Sequence, residues 1–306
     1  MRAATLLGAC LLAPALALAC SAKPALAPVP AAEAQPKPHP APSAASPSPT
    51  TSAPAEPRGA PRQLSAALDP SQFLAAVDVT TSDTLAPDEI ELVAPRFTGS
   101  NLGELSARHL LLGRREGGRL RIKSSPGYPA PTGAVQSRER RCSFVIDCDE
   151  LSVRGLVAEL RGAHSSIEAT DVISYVYRFI EHKHMARGFD IASVVAEKRE
   201  GDCTEHAVLS AALLRATGFP THVVTGLALL RAGGNWAGFG HAWTEYHDGS
   251  GWQLADATGI GDAVEAIIYL PLRVMRDEGP GYSRGSFDAF DIVDVQSVSV
   301  SARLER

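Results

Sequence analysis

Between Thr170 and Lys183 the apolar residues Val172, Ile173, Val176, Tyr177 and Ile180 recur every three or four positions. That spacing places them on one stripe of an α-helix, with Thr170 or Asp171 available as its cap. A second short helix is expected after Asp190 (IASVVAEKR). The run from Cys203 to Ala216 (CTEHAVLSAALLRA) is apolar around most of its circumference and predicts a buried helix. Asp202 before it and Glu205 three residues later match a capping box, and Gly218 and Pro220 stop it.

Elsewhere the pattern is that of strands. Residues 64–150 carry short apolar stretches (FLAAVDVTT, IELVAP, HLLLG, LRIKS, CSFVID) broken by Gly, Pro, Asn and Asp, which predicts a mainly β region. Nothing in that region points to chemistry. After the buried helix come an extended run (THVVTGLALL), a Gly-rich connection (RAGGNWAGFG) and two apolar-polar segments, HAWTEY and WQLADAT. If these two pair antiparallel around His247–Ser250, residue 245 opposes 252, 243 opposes 254 and 241 opposes 256, all on one face. Asp256 then reaches His241 across the pair, because opposed Cβ atoms lie about 4.5–5.5 Å apart.

The start of the chain follows neither pattern. Arg2 precedes an apolar run (ATLLGACLLAPALALA) too short to span a bilayer, which reads as an export signal over residues 1–19. Cys20 follows small residues, as in a lipoprotein cleavage box, with ordinary cleavage after Ala19 as the alternative. Residues 20–62 are dominated by Ala, Pro and Ser, too poor in branched and aromatic side chains to offset the entropy of ordering, so they form a tether. The remaining divisions are a mainly β region at 63–160, a core at 161–275 and a C-terminal extension with a strand at 276–306. The expected location is the periplasm, or the cell envelope through a lipid anchor at Cys20.

Charge and cysteine content narrow the chemistry. A net charge of −5 gives no global basic field for nucleic acid. Outside the signal and Cys20 the chain has Cys142, Cys148 and Cys203. Cys142 and Cys148 either close a small loop in an oxidising compartment or remain buried thiols. Cys203 falls in the first turn of the buried helix, where unpaired N–H groups and the positive dipole end favour a thiolate. His241, oriented by Asp256, is a base for it, the logic of a nucleophile, base and acid triad.

GDCTEHAVLSAALLRATGFPTHVVTGLAL, then GHAWTEY, then GWQLADAT, resembles the core of the transglutaminase-like superfamily over about residues 165–275. The resemblance implies an α+β, papain-like fold: a Cys-bearing helix packed on an antiparallel sheet bearing His and Asp, here preceded by the mainly β region. It assigns nucleophile to Cys203, general base and acid to His241, and orienting carboxylate to Asp256. The implied activity is acyl transfer or hydrolysis at an amide through a thioester, on a protein or peptide of the cell envelope; a non-catalytic peptide-binding protein is the rival. No cofactor or metal is expected. EKREGDC lacks the tryptophan or glutamine that papain-fold relatives use as an oxyanion donor, and no acidic Ca²⁺ loop is visible.

Around this centre, Trp243 and Trp236 are expected to bind substrate, Trp236 from a loop at 231–240 that is either a mobile lid or a surface connection with one or two aromatics packed down, although Trp243 and Trp252 can equally pack across strands. Glu205 is a cap, His206 a core or edge histidine, and His182-Lys183-His184 a solvated helix end rather than metal ligands.

Overall fold

A computed structural model describes residues 76–81, 89–94, 102–124, 127–183, 189–281 and 297–301. The expected signal segment, the tether with Cys20, and His184 lie outside the described residues. The fold is α+β. Among the described residues, strands run from β1 (Ala76–Thr81), β2 (Glu89–Val93), β3 (Leu111–Arg115), β4 (Arg119–Lys123), β5 (His182–Lys183) and β6 (Glu200–Gly201) to β7 (Thr221–Ala232), β8 (Asn235–His247), β9 (Trp252–Ala255), β10 (Ala266–Val274) and β11 (Ser297–Ser301). The described α-helices are α1 (Gly103–Ala107), α2 (Leu151–Ala163), α3 (Ala169–Phe179), α4 (Ala192–Lys198) and α5 (Cys203–Ala216).

One large sheet runs β10-β7-β8-β1-β11-β2-β4-β3, with β9 paired on β8. Its pairings are antiparallel except that of β1 with β11. The sheet therefore runs through the mainly β region and the core alike, and the expected division at 160/161 falls inside α2.

Helix α5 is central. Val208, Leu209, Ala211, Ala212, Leu213 and Leu214 are all fully buried, and each buried Val or Leu contributes about 1.5–3 kcal/mol. It packs with α2, α3 and α4 against Val223 of β7 and Ala242 of β8. Thr244 Oγ1 donates to Ala207 O at 2.8 Å, fixing the helix along β8. At its far end Arg215 makes two bonds to Glu278, at 2.7 and 2.8 Å, and a third to Arg141 O. A disulfide joins Cys142 and Cys148, with Cα atoms 5.1 Å apart, so of the two readings of these residues the bridge holds. CSFVID is consequently a bridged bend rather than a strand.

Three local expectations change. Helix α3 ends at Phe179, and its cap is Glu168, boxed with Asp171, rather than Thr170 or Asp171. His182 and Lys183 pair with Glu200 and Gly201 instead of ending a helix. The stretch read as a Gly-rich lid is a hairpin: Ala232 opposes Asn235 across Gly233-Gly234, at φ +56° and +80°. A two-residue turn of this kind needs positive φ at both positions, which glycine supplies. Residues 235–240 then continue as β8, and Trp236 is 5% exposed among Leu227, Leu229 and Leu270. Among the described residues no helix is long and apolar enough to cross a membrane.

Candidate active site

The start of α5 is held by a dense set of bonds. Asp202 Oδ1 accepts from Thr204 N at 2.8 Å, and Glu205 Oε2 accepts from Asp202 N at 2.9 Å, the capping box read from the sequence. Gly201 has φ +150°, and the Glu205 side chain occupies the space a Cβ there would need. Glu205 Oε1 also accepts from Asp190 N at 3.0 Å. Burial and the adjacent Asp202 push the Glu205 carboxyl up to about 7. Glu205 is thus a buried brace, and Cys203 is delivered by a turn with little freedom.

Cys203 is half-buried at the head of α5. Burial raises its pKa well above 9.0, Asp202 adds to the rise, and the Ala242 N–H on the sulfur opposes it. Asp256 and Glu205 push the same way as Asp202. The helix start therefore does not deliver the depressed thiol expected from sequence: desolvation and three carboxylates outweigh the dipole end. The bond from Ala242 places the sulfur beside β8, next to the residue that follows His241.

His241 is 3% exposed, and its Nε2 lies 2.7 Å from Asp256 Oδ2. A carboxylate accepts, so the proton of this contact sits on Nε2. The two residues meet by a register that differs from the expected one. Glu245 opposes Leu254, and His247 opposes Trp252, a shift of two residues. The cause is the turn at Asp248–Gly251, where Asp248 Oδ1 accepts from Ser250 N at 2.7 Å and Gly251 N at 2.8 Å, drawing the loop one residue onward. A shift of two preserves the face, since side chains alternate with period two. Asp256 follows the last paired residue, Ala255, and reaches His241 diagonally.

Asp256 accepts three further bonds: Tyr269 OH to Oδ2 at 2.8 Å, and Thr258 N and Oγ1 to Oδ1 at 2.9 and 2.6 Å. Burial alone would raise its pKa, but His241 and Thr258 together hold it far below 3.8. Thr258 was within reach of sequence reading, because an Asp followed two residues later by Thr is an Asx-type turn. Tyr269 was not, because its contact depends on how β10 sits in the sheet.

Trp243 is 1% exposed and lies against the imidazole, ring centres 6.0 Å apart and nearly parallel. Its Nε1 donates to Tyr128 OH at 2.6 Å, and its ring meets Tyr269 edge to face at 5.2 Å. Trp252 packs instead on His222 and donates to Gly133 O at 2.8 Å. Trp243 therefore backs His241 from the core rather than walling an open acyl pocket. Trp236, in the apolar cluster of β7 and β10, is no lid residue.

Behind Trp243 is a buried charged group. Glu245 binds Arg108 through both oxygens, at 2.6 and 3.1 Å, His222 Nε2 at 2.6 Å, and the Tyr128 hydroxyl. Glu139 lies 3.4 Å from the other nitrogen of His222. Burial opposes a charged His222, yet the two carboxylates raise its pKa above 6.5. His206 is a core histidine, with Nδ1 on Asp202 O at 2.6 Å, and burial lowers its pKa to about 4. Among the described residues no group of three or more His, Cys, Asp and Glu is arranged to hold a metal ion.

Residues 154–257 match the family model of the transglutaminase-like superfamily. No curated protein matches the chain. Among solved structures, a candidate cysteine protease from Cytophaga hutchinsonii aligns over 75% of this chain and 83% of its own at 14% identity, with a TM-score of 0.38. The periplasmic domain of TgpA from Pseudomonas aeruginosa, bound to ethylmercury, aligns over 46% of this chain at 27% identity, with a TM-score of 0.32. The alignment covers 56% of that domain's own chain, so this chain spans about half its length.

Proposed function

We propose, from the match of residues 154–257 to the transglutaminase-like superfamily model, that this chain is a cysteine acyltransferase or hydrolase acting on amide bonds. The observation that carries the reading is the 2.7 Å contact between His241 and Asp256, made beside a helix-start cysteine whose sulfur takes the Ala242 N–H. Cys203 is the nucleophile, His241 the base and acid, and Asp256 the carboxylate that fixes the imidazole.

In this reading Nδ1 of His241 takes the thiol proton as sulfur bonds to the carboxamide or peptide carbonyl, whose C=O electrons move to oxygen. The Cys203 N–H, in the first turn of α5 with no intrahelical acceptor, stabilises that oxyanion. When the oxyanion collapses, the C–N bond breaks and His241 returns the proton to the departing amine. Water or a second amine then cleaves the thioester, giving an acid or a new amide and regenerating the thiol. Asp256 stabilises the transient imidazolium, as in other triads.

The Cys142–Cys148 bridge supports a site of action outside the cytosol, in keeping with the export signal and the candidate lipid anchor at Cys20. The substrate class is then a protein or peptide of the cell envelope. A test incubates the full chain with dimethylated casein and monodansylcadaverine, reading fluorescent incorporation and casein fragmentation together. Activity on either readout that is lost in Cys203→Ala supports the assignment, and activity that survives this substitution refutes it. The ratio of the two products separates transfer from hydrolysis.

A further inference from the structure

Tyr269 belongs to no expected site, yet its hydroxyl donates to the same Asp256 oxygen, at 2.8 Å, that receives His241 Nε2 at 2.7 Å. The phenol is held independently of that bond. Its ring meets Trp243 edge to face at 5.2 Å and Tyr128 at 5.9 Å, and β10 is fixed by pairing with β7, where Tyr269 opposes Ala228. The residue is 8% exposed, so water does not compete freely for the hydroxyl. Asp256 Oδ2 is therefore held by two donors at once, the imidazole and a buried phenol.

We propose that Tyr269 is a positioning residue that divides Asp256 Oδ2 between two donors, weakening the hold of Asp256 on the His241 imidazole and so damping the reactivity of Cys203 until substrate arrives. The inference rests on the triad reading given above. An oxygen that accepts a second hydrogen bond is a weaker base toward the first donor, so Asp256 draws the imidazole Nε2 proton less strongly. Passage of the thiol proton to Nδ1 is then less favourable until a substrate carbonyl receives the sulfur. The groups facing the pair are Asp256 and Thr258 beyond β9, Tyr269 on β10, and Asp202 and Glu205 at the head of α5. The three carboxylates already oppose a thiolate at Cys203, and the Tyr269 hydroxyl acts in the same direction through His241.

The test uses the full chain and iodoacetamide as probe, with the second-order rate of Cys203 alkylation measured across pH. Tyr269→Phe keeps the ring and its edge-to-face contacts, and thermal melting checks that the fold is retained. Removing a hydrogen bond from a buried carboxylate should raise alkylation at neutral pH by about threefold or more and move the profile to lower pH. Tyr269→Leu, which also removes the ring, separates the hydroxyl's effect from that of packing. A Tyr269→Phe profile that superimposes on the wild type, or moves to higher pH, at unchanged melting temperature overturns the inference. An unchanged profile in Asp256→Asn would instead overturn the triad reading, so the two failures are distinguishable.

Discussion

His241 and Asp256 are joined at 2.7 Å although they are not cross-strand partners: the β8–β9 ladder ends at Thr244 opposite Ala255, and Asp256 lies one step beyond it. A carboxylate past the end of a ladder is not fixed by strand pairing, and the bonds from Thr258 and Tyr269 supply what pairing does not. Asp256→Asn keeps the acceptor for Thr258 but sets an amide N–H against His241 and Tyr269. Turnover should fall by about 10³–10⁴-fold, the scale of losing the tautomer-fixing acid in a triad. Steady-state rates on the casein probe, beside a melting curve, check this.

The sequence alone places Cys203 where a thiolate is favoured, while the folded environment favours the thiol. Alkylation of Cys203 at neutral pH should accordingly be slower than that of free cysteine and should climb as pH passes above 9.0. Cys203→Ala should abolish turnover while costing less than about 1 kcal/mol, since it removes one sulfur and leaves the Asp202 cap intact. Fast alkylation in mildly acid solution would contradict the assigned electrostatics.

His222 between Glu139 and Glu245 gives stability a defined pH dependence. Its folded pKa lies above the ordinary 6.5, so its contribution is fully present below 6.5 and is lost as pH rises through the folded value. The two carboxylates act oppositely, their contribution being present above 4.5 and lost as pH falls through their depressed values. The melting-temperature difference between wild type and His222→Gln should therefore be widest between about pH 5 and 6.5 and narrow above it. A difference that grows from pH 7 to 9 would show that His222 is not held as a cation.

Trp236→Ala should destabilise the chain by about 3–5 kcal/mol, as for loss of a large aromatic from a packed cluster. Denaturant unfolding measures this directly. Because Trp236 is in β8 rather than a lid, the ratio of hydrolysis to amine transfer in the folded fraction should be unchanged.

What the sequence could show was local. The Cys203 helix, its Asp202–Glu205 box and its stop at Gly218 depend on residues within a few positions of each other, and they fold as read. The β8–β9 face was also legible, because a two-residue slip leaves alternation intact, whereas the register itself was set by the Asp248 side chain. The glycines of 233–240 carried two meanings, a mobile loop or a tight hairpin entering a strand, and composition does not separate them. Tyr269, Tyr128 and Arg108 reach the site from distant parts of the chain, and no short-range pattern announces such contacts.

The order of strands in the large sheet also bears on how the chain reaches this structure. β11, the last of the described strands in sequence, lies between β1 and β2, with Ser297 opposite both Asp78 and Val93. Until residues 297–301 arrive, β1 and β2 each present an unpaired edge, and the two parts of the sheet that they border have no backbone ladder joining them. Closing contacts over so long a stretch of chain is slow. Joining β1 to β2 therefore requires a central strand to be inserted between them rather than an outer one to be added, and that strand comes from residues 297–301, far along the chain from both.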